Sequence, residues 1–109
     1  MRERRPSLEE LLASKTRLRI LKVLFKHGEL NITKLTKMTD LNHKVVQYHL
    51  DILKEYGIIE EKQIGRIKIV KVRDKDPKVA RLRDLFLQLF EMYEEEDQST
   101  DQIIQSAED

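Results

Sequence analysis

At 109 residues the chain has room for one modest hydrophobic core and not for a second. It contains no Cys, which excludes a disulfide scaffold, a thiolate metal site and a cysteine nucleophile; its charged N-terminus and short apolar runs argue against a signal peptide or a membrane span, so a soluble cytoplasmic protein is expected. The formal net charge of +1 hides a division, because residues 15–75 carry 15 Lys or Arg against 7 Asp or Glu whereas residues 76–109 carry 3 against 10.

Residues 1–6 form a basic stub, expected to be poorly ordered. Ser7 has the residue type of a helix N-cap, and Glu10 three positions on completes the pattern of a capping box, opening a short helix through Leu8, Leu11 and Leu12. A second helix is predicted from Thr16 to His27, apolar over more than one face as befits a helix packed between others, with Gly28 as its stop.

Asn31 then caps a helix carrying Ile32, Leu35 and Met38 at helical spacing, with Lys34 and Lys37 facing outward. Thr39, Asp40 and Asn42 follow, residue types whose short side-chain oxygens end one helix and cap the next. The next helix, His43 to Tyr56, places Val46, Leu50 and Leu53 on one stripe and His43, Lys44, Gln47, Tyr48 and Asp51 on the opposite one. Two helices joined by such a corner leave the second standing out from the body, the plan by which a helix reaches into the major groove of DNA.

Beyond Gly57 the period changes. Ile58–Ile64 and Arg66–Arg73 are rich in β-branched residues and meet at Gly65, which predicts a two-stranded hairpin. Ile67, Ile69, Val70 and Val72 do not alternate, so a bulge or a twist is expected in the second strand. Asp76 followed by Pro77 marks the start of the longest helix, running to about Glu96 with Val79, Leu82, Leu85, Phe86, Leu89, Phe90 and Tyr93 on a wide apolar stripe. Residues 97–109 are polar and acidic and are expected to form a mobile tail or a short frayed helix.

The expected fold class is therefore mainly α with a small β-hairpin wing, a winged helix-turn-helix over residues 7–75, followed by a dimerisation helix over 76–96. The run LNHKVVQYHLDILKEYGIIEEKQIGRIKIVKV resembles the ArsR-type winged helix-turn-helix regulators in its His49-Leu50 pair, in Leu53, in the Gly57-Ile58-Ile59 exit and in the Gly65-Arg66 wing tip. SKTRLRILKVL is similar to the second helix of that family, and the resemblance extends over roughly residues 8–95. It implies a transcription regulator. The family also includes metal sensors, and there the sequence departs from the pattern: it has no Cys, the long helix has no His, and His43 and His49 lie on different faces of one helix. No metal, cofactor or effector site is carried over.

The candidate DNA-reading residues are Asn42, His43, Lys44, Gln47 and Tyr48. Gln47 has the paired donor and acceptor that suit adenine, while Lys44 suits guanine or a phosphate. Thr39, Lys34, Lys37, Arg66 and Lys68 are candidate backbone or wing contacts. His49 is expected to point inward with a hydrogen-bonded ring. Leu8, Leu11, Leu12, Leu82, Leu85, Phe86, Leu89, Phe90 and Tyr93 exceed what one small core needs and are the candidate interface of a homodimer. Such a dimer would act on a pseudo-palindromic site, most simply as a repressor. The alternatives are a non-specific architectural DNA-binding protein and a winged-helix protein-interaction module. Enzymatic activity is not expected, since the chain has no recognisable nucleophile motif or phosphate-cradling glycine loop.

Overall fold

The structure, a computed structural model, describes residues 7–108, with side chains for residues 7–94. The basic stub at 1–6 lies outside them. Five helices and three strands follow in the order α1 (Leu8–Leu12), α2 (Lys15–His27), β1 (Glu29–Asn31), α3 (Ile32–Thr39), α4 (His43–Glu55), β2 (Ile59–Ile64), β3 (Ile67–Val72) and α5 (Pro77–Glu108). The fold is a winged helix-turn-helix.

Helix starts are set by short side chains at the expected places. Ser7 Oγ accepts from the Glu10 amide at 3.1 Å, Asn31 Oδ1 from Lys34 at 2.8 Å and Asn42 Oδ1 from Val45 at 2.9 Å. Ser14 does the same for α2, accepting from the Arg17 amide at 3.0 Å. Both helices of the central pair end alike. After α3, Asp40 adopts the left-handed conformation at φ 59°, with its amide bonded to Lys37 O and the Leu41 amide to Thr36 O. After α4, Gly57 at φ 72° repeats that paired pattern onto Lys54 O and Leu53 O. Asp tolerates the left-handed region because its short side chain can compensate locally, which lets a non-glycine residue turn this corner.

Ile20, Leu21, Leu24, Leu35, Val46, Leu50, Leu53, Val70 and Val72 are fully buried and form the core between α2, the central helix pair and the sheet. Met38 is exposed, so the inward stripe of α3 is Ile32 and Leu35, with Thr39 completing it one turn on. At its other end α2 packs on α5, where the Phe25 and Phe86 rings meet edge-on at 5.8 Å and Phe86 meets Phe90 in the same way. Lys22 lies over the Phe90 ring and pairs with Glu94, a second tie between these helices.

Three expectations are corrected. The sheet has a third strand: β1 pairs antiparallel with β3, giving the order β1-β3-β2. Three residues are too few for a period to show. The β2–β3 register runs unbroken from Ile59↔Val72 to Ile64↔Ile67, so there is no bulge. The uneven apolar pattern has another cause, since Val70 and Val72 face the core while Ile69 lies in the stretch of β3 that β1 flanks. Finally, the helix expected to end near Glu96 continues to Glu108, so the segment expected as a mobile tail or a short frayed helix extends α5.

Candidate nucleic-acid interface

The α4 helix begins at Asn42 with its first turn open to solvent. Asn42, His43 and Lys44 are exposed there, beside the positive end of the helix dipole. The wing rises alongside, its two-residue turn made by Gly65 at φ 60° and Arg66. Between wing and helices lies a cleft of about 480 Å³, lined by Asn31, Ile32, Thr33, His43, Gln63, Arg66, Ile67 and Lys68. The cleft thus brings His43, Arg66 and Lys68 together, and adds Asn31, Thr33 and Gln63. Lys34 and Lys37 are exposed on α3 and line a neighbouring shallow depression with Met38.

Two of the expected contact residues are placed elsewhere. Thr39 is buried, and its hydroxyl donates to Leu35 O at 2.8 Å, so its side chain belongs to the α3 interior and does not reach the surface. Tyr48 is exposed but turned away from the wing, lining a separate cleft with Arg17, Ile52, Glu55 and Tyr56. Its ring meets that of His49 edge-on at 5.0 Å.

Gln47 sits between these positions, half-buried, and its amide is fully engaged. Nε2 donates to Asp51 Oδ1 at 2.9 Å and to Glu61 Oε2 at 3.1 Å, while Oε1 accepts from Lys68 Nζ at 2.9 Å. Lys54 completes the group through Glu61 at 3.0 Å and Asp51 at 3.4 Å. The hydrogen bond from Gln47, with lesser help from Lys54 and Lys68, holds the Asp51 carboxyl below its ordinary range. Burial pushes Glu61 up, but the contacts with Gln47, Lys54 and Lys68 outweigh it and leave the carboxyl lowered. Lys54 is raised, first by its hydrogen bond to Glu61. Glu61 escaped the sequence reading. The signal was present in the strand alternation, which puts Glu61 on the same face as the buried Ile59 and therefore under α4.

His49 points inward and is buried, but Nδ1 has no hydrogen-bond partner, contrary to the expectation of a bonded ring. Burial lowers its pKa, and the nearby Arg17 guanidinium lowers it further. Arg17 itself is buried and donates to Glu10 O at 2.7 Å, closing the carbonyl end of α1.

The candidate dimer residues separate into two sets. Leu11 and Phe86 are buried in the chain's own core, and Leu82 and Phe90 pack half-buried against it. These four are corrected to intramolecular packing, wholly or in part. Leu8, Leu12, Leu85, Leu89 and Tyr93 are exposed, and Met92, which the sequence reading had passed over, joins them. Residues 85, 89, 92 and 93 form one outward stripe on α5. No group of three or more His, Cys, Asp or Glu able to hold a metal ion occurs among the described residues, and no described helix is long and apolar enough to cross a membrane.

A capped helix pair with a basic hairpin beside the exposed first turn of its second helix defines a winged helix-turn-helix protein. The sequence profile described as "bacterial regulatory protein, arsR family" matches residues 14–61. The chain belongs to that family. Among solved structures it is similar to the AntR antimony-specific transcriptional repressor, at 30% identity and a TM-score of 0.64 over 79% of this chain and 76% of that one. It is also similar to a homodimeric winged helix-turn-helix DNA-binding domain from Mycobacterium bovis, at 28% identity and a TM-score of 0.64 over 80% and 78%. The transcriptional repressor PagR of Bacillus anthracis is 25% identical, with a TM-score of 0.58 over 70% and 84%. No curated protein sequence matches the chain significantly.

Proposed function

We propose that the chain is a sequence-specific, double-stranded DNA-binding transcription regulator, a repressor that acts as a homodimer on a pseudo-palindromic operator in the cytoplasm. The observation that carries this reading is the cleft in which His43, at the start of α4, faces Arg66 and Lys68 of the wing. Such a groove offers the wing cations Arg66 and Lys68 to a phosphate backbone beside an exposed helix start. In this reading Asn42, His43 and Lys44 meet the major groove, Arg66 and Lys68 the adjacent backbone or minor groove, and Lys34 and Lys37 the phosphates flanking α3.

The exposed apolar stripe on α5, with Leu8 and Leu12 on α1, is the proposed dimer seam. The Mycobacterium bovis relative is a homodimer, and two of the relatives are repressors, which supports both parts of the reading. The metal specificity of AntR is not carried over, because this chain has no Cys to supply thiolate. A two-fold dimer would set half-sites roughly 10 base pairs apart, centre to centre.

The test is a salt titration of binding to the chain's own upstream region against a scrambled duplex of equal length, with the mass of the free protein measured in parallel. Tight, salt-dependent preference for the upstream region by a dimer is the expected result. Equal binding to both duplexes would replace specific regulation with an architectural role. No binding at low salt would leave a protein-interaction module.

A further inference from the structure

Glu61 joins the recognition helix to the wing. Its side chain is only 13% exposed, and its carboxylate meets Gln47 at 3.1 Å, Lys54 at 3.0 Å and Lys68 at 3.6 Å. Asp51 accepts from the same amide nitrogen and Lys68 donates to the amide oxygen, so both ends of the Gln47 amide are engaged within the protein. Gln47 carries a paired donor and acceptor suited to a base edge, and Lys68 is a wing cation that lines the cleft.

We infer that Glu61 is a latch on DNA recognition: it holds Gln47 and Lys68 within the protein and yields them only to a duplex whose bases and phosphates replace its carboxylate. The inference rests on the DNA-binding reading above. A complex with non-cognate DNA leaves the latch closed and uses the freely exposed cations alone. A cognate complex opens it: Lys68 exchanges its contacts with Glu61 and with Gln47 Oε1 for a phosphate, and the Gln47 amide exchanges Glu61, Asp51 and Lys68 for a base edge. Glu61 therefore acts as a positioning residue that tunes specificity.

Two substitutions separate a latch from simple loss of negative charge. Glu61→Gln removes the charge at the latch with little change in shape. Glu60→Gln removes the same charge from the opposite face of β2, where Glu60 is exposed and only approaches Arg73 at 3.9 Å. In the free protein, E61Q should shift and sharpen the side-chain amide resonances of Gln47, and E60Q should leave them in place. On a scrambled duplex near 0.1 M salt, E61Q should bind about fivefold tighter, with a salt slope steeper by about 0.9, the signature of one additional phosphate contact. Lys68→Ala should cost less than about twofold in the wild-type background and cancel the gain in E61Q.

Unmoved Gln47 resonances in E61Q would overturn the latch. So would equal gains from E60Q and E61Q, or an equal cost of Lys68→Ala in both backgrounds. If Gln47 responds as expected but neither wild type nor E61Q binds any duplex, the DNA-binding reading fails, and the latch fails with it for want of anything to hold back.

Discussion

The ring of Phe86 meets that of Phe25 edge-on, with centroids 5.8 Å apart and planes at 83°, and this contact decides which side of α5 belongs to the chain's own core. With Phe86 turned toward α2, Leu82 and Phe90 one turn away face inward with it, and Leu85 and Leu89, roughly 60–100° round the helix, are left facing out. The apolar surface of α5 is thereby divided between intramolecular packing and the proposed seam.

That division predicts opposite results for neighbouring substitutions. Phe86→Ala should destabilise the fold by about 3–5 kcal/mol, the usual cost of truncating a buried aromatic, and lower the urea midpoint. Leu85→Glu, at a side chain 51% exposed, should leave the isolated fold intact and shift the measured mass from dimer to monomer. A monomeric wild type would remove the seam from the reading.

Removing the cap of α4 should be felt locally. Asn42→Ala deprives the Val45 amide of its partner at 2.9 Å and should cost about 1 kcal/mol in urea unfolding. Asn42→Asp, which keeps an accepting oxygen, should recover most of that loss. An unchanged midpoint in the Ala variant would mean that water replaces the cap at no cost.

The pH dependence follows from His49. Its pKa in the folded chain lies below the ordinary 6.5, because burial and the Arg17 guanidinium disfavour the imidazolium. Between the folded value and 6.5 the unfolded chain binds more protons than the folded one, so stability rises with pH through that window. The contribution is complete above about 6.5 and is lost as pH falls through the folded pKa. The lowered Asp51 and Glu61 carboxyls act in the same direction below the ordinary carboxylate range. Urea midpoints at pH 7.5 and 5.5 should differ in the wild type and converge in His49→Leu; a difference as large in the variant as in the wild type would assign the acid loss to other groups.

Wing and helix cations should differ in what they do on DNA. Arg66→Ala should weaken binding about equally on all sequences and reduce the salt slope by about 1, as expected of a phosphate contact. Lys44→Ala should cost about 1–3 kcal/mol on the upstream site and less on a scrambled duplex if Lys44 reads a base. A uniform loss for Lys44→Ala would reassign it to the backbone.

Much of this architecture is legible in the residues because local chemistry writes it. Ser7, Asn31, Asn42 and Asp76 each accept from a backbone amide at a helix start, and Gly28, Gly57 and Gly65 turn where a positive φ is required. Such features act over three or four residues, the range at which a linear pattern carries the physics. The hairpin and the long α5 stripe were visible for the same reason.

What only the tertiary structure decides is how side chains of equal local character are shared among partners distant in sequence. β1 exists because β3 offers it a free edge, so three residues with no period of their own become a strand. Leu11 and Phe86 fall inside while Leu12 and Leu85 fall outside, because the packing of α1 and α5 on α2 selects one side of each helix. Thr39 is withdrawn into α3, and Gln47 is bound to Glu61 fourteen residues on and to Lys68 twenty-one residues on. Helical periodicity specifies which residues share a stripe; the register of β2 and β3 under α4 determines that Gln47, in the middle of the polar face of α4, is occupied by the protein's own charges.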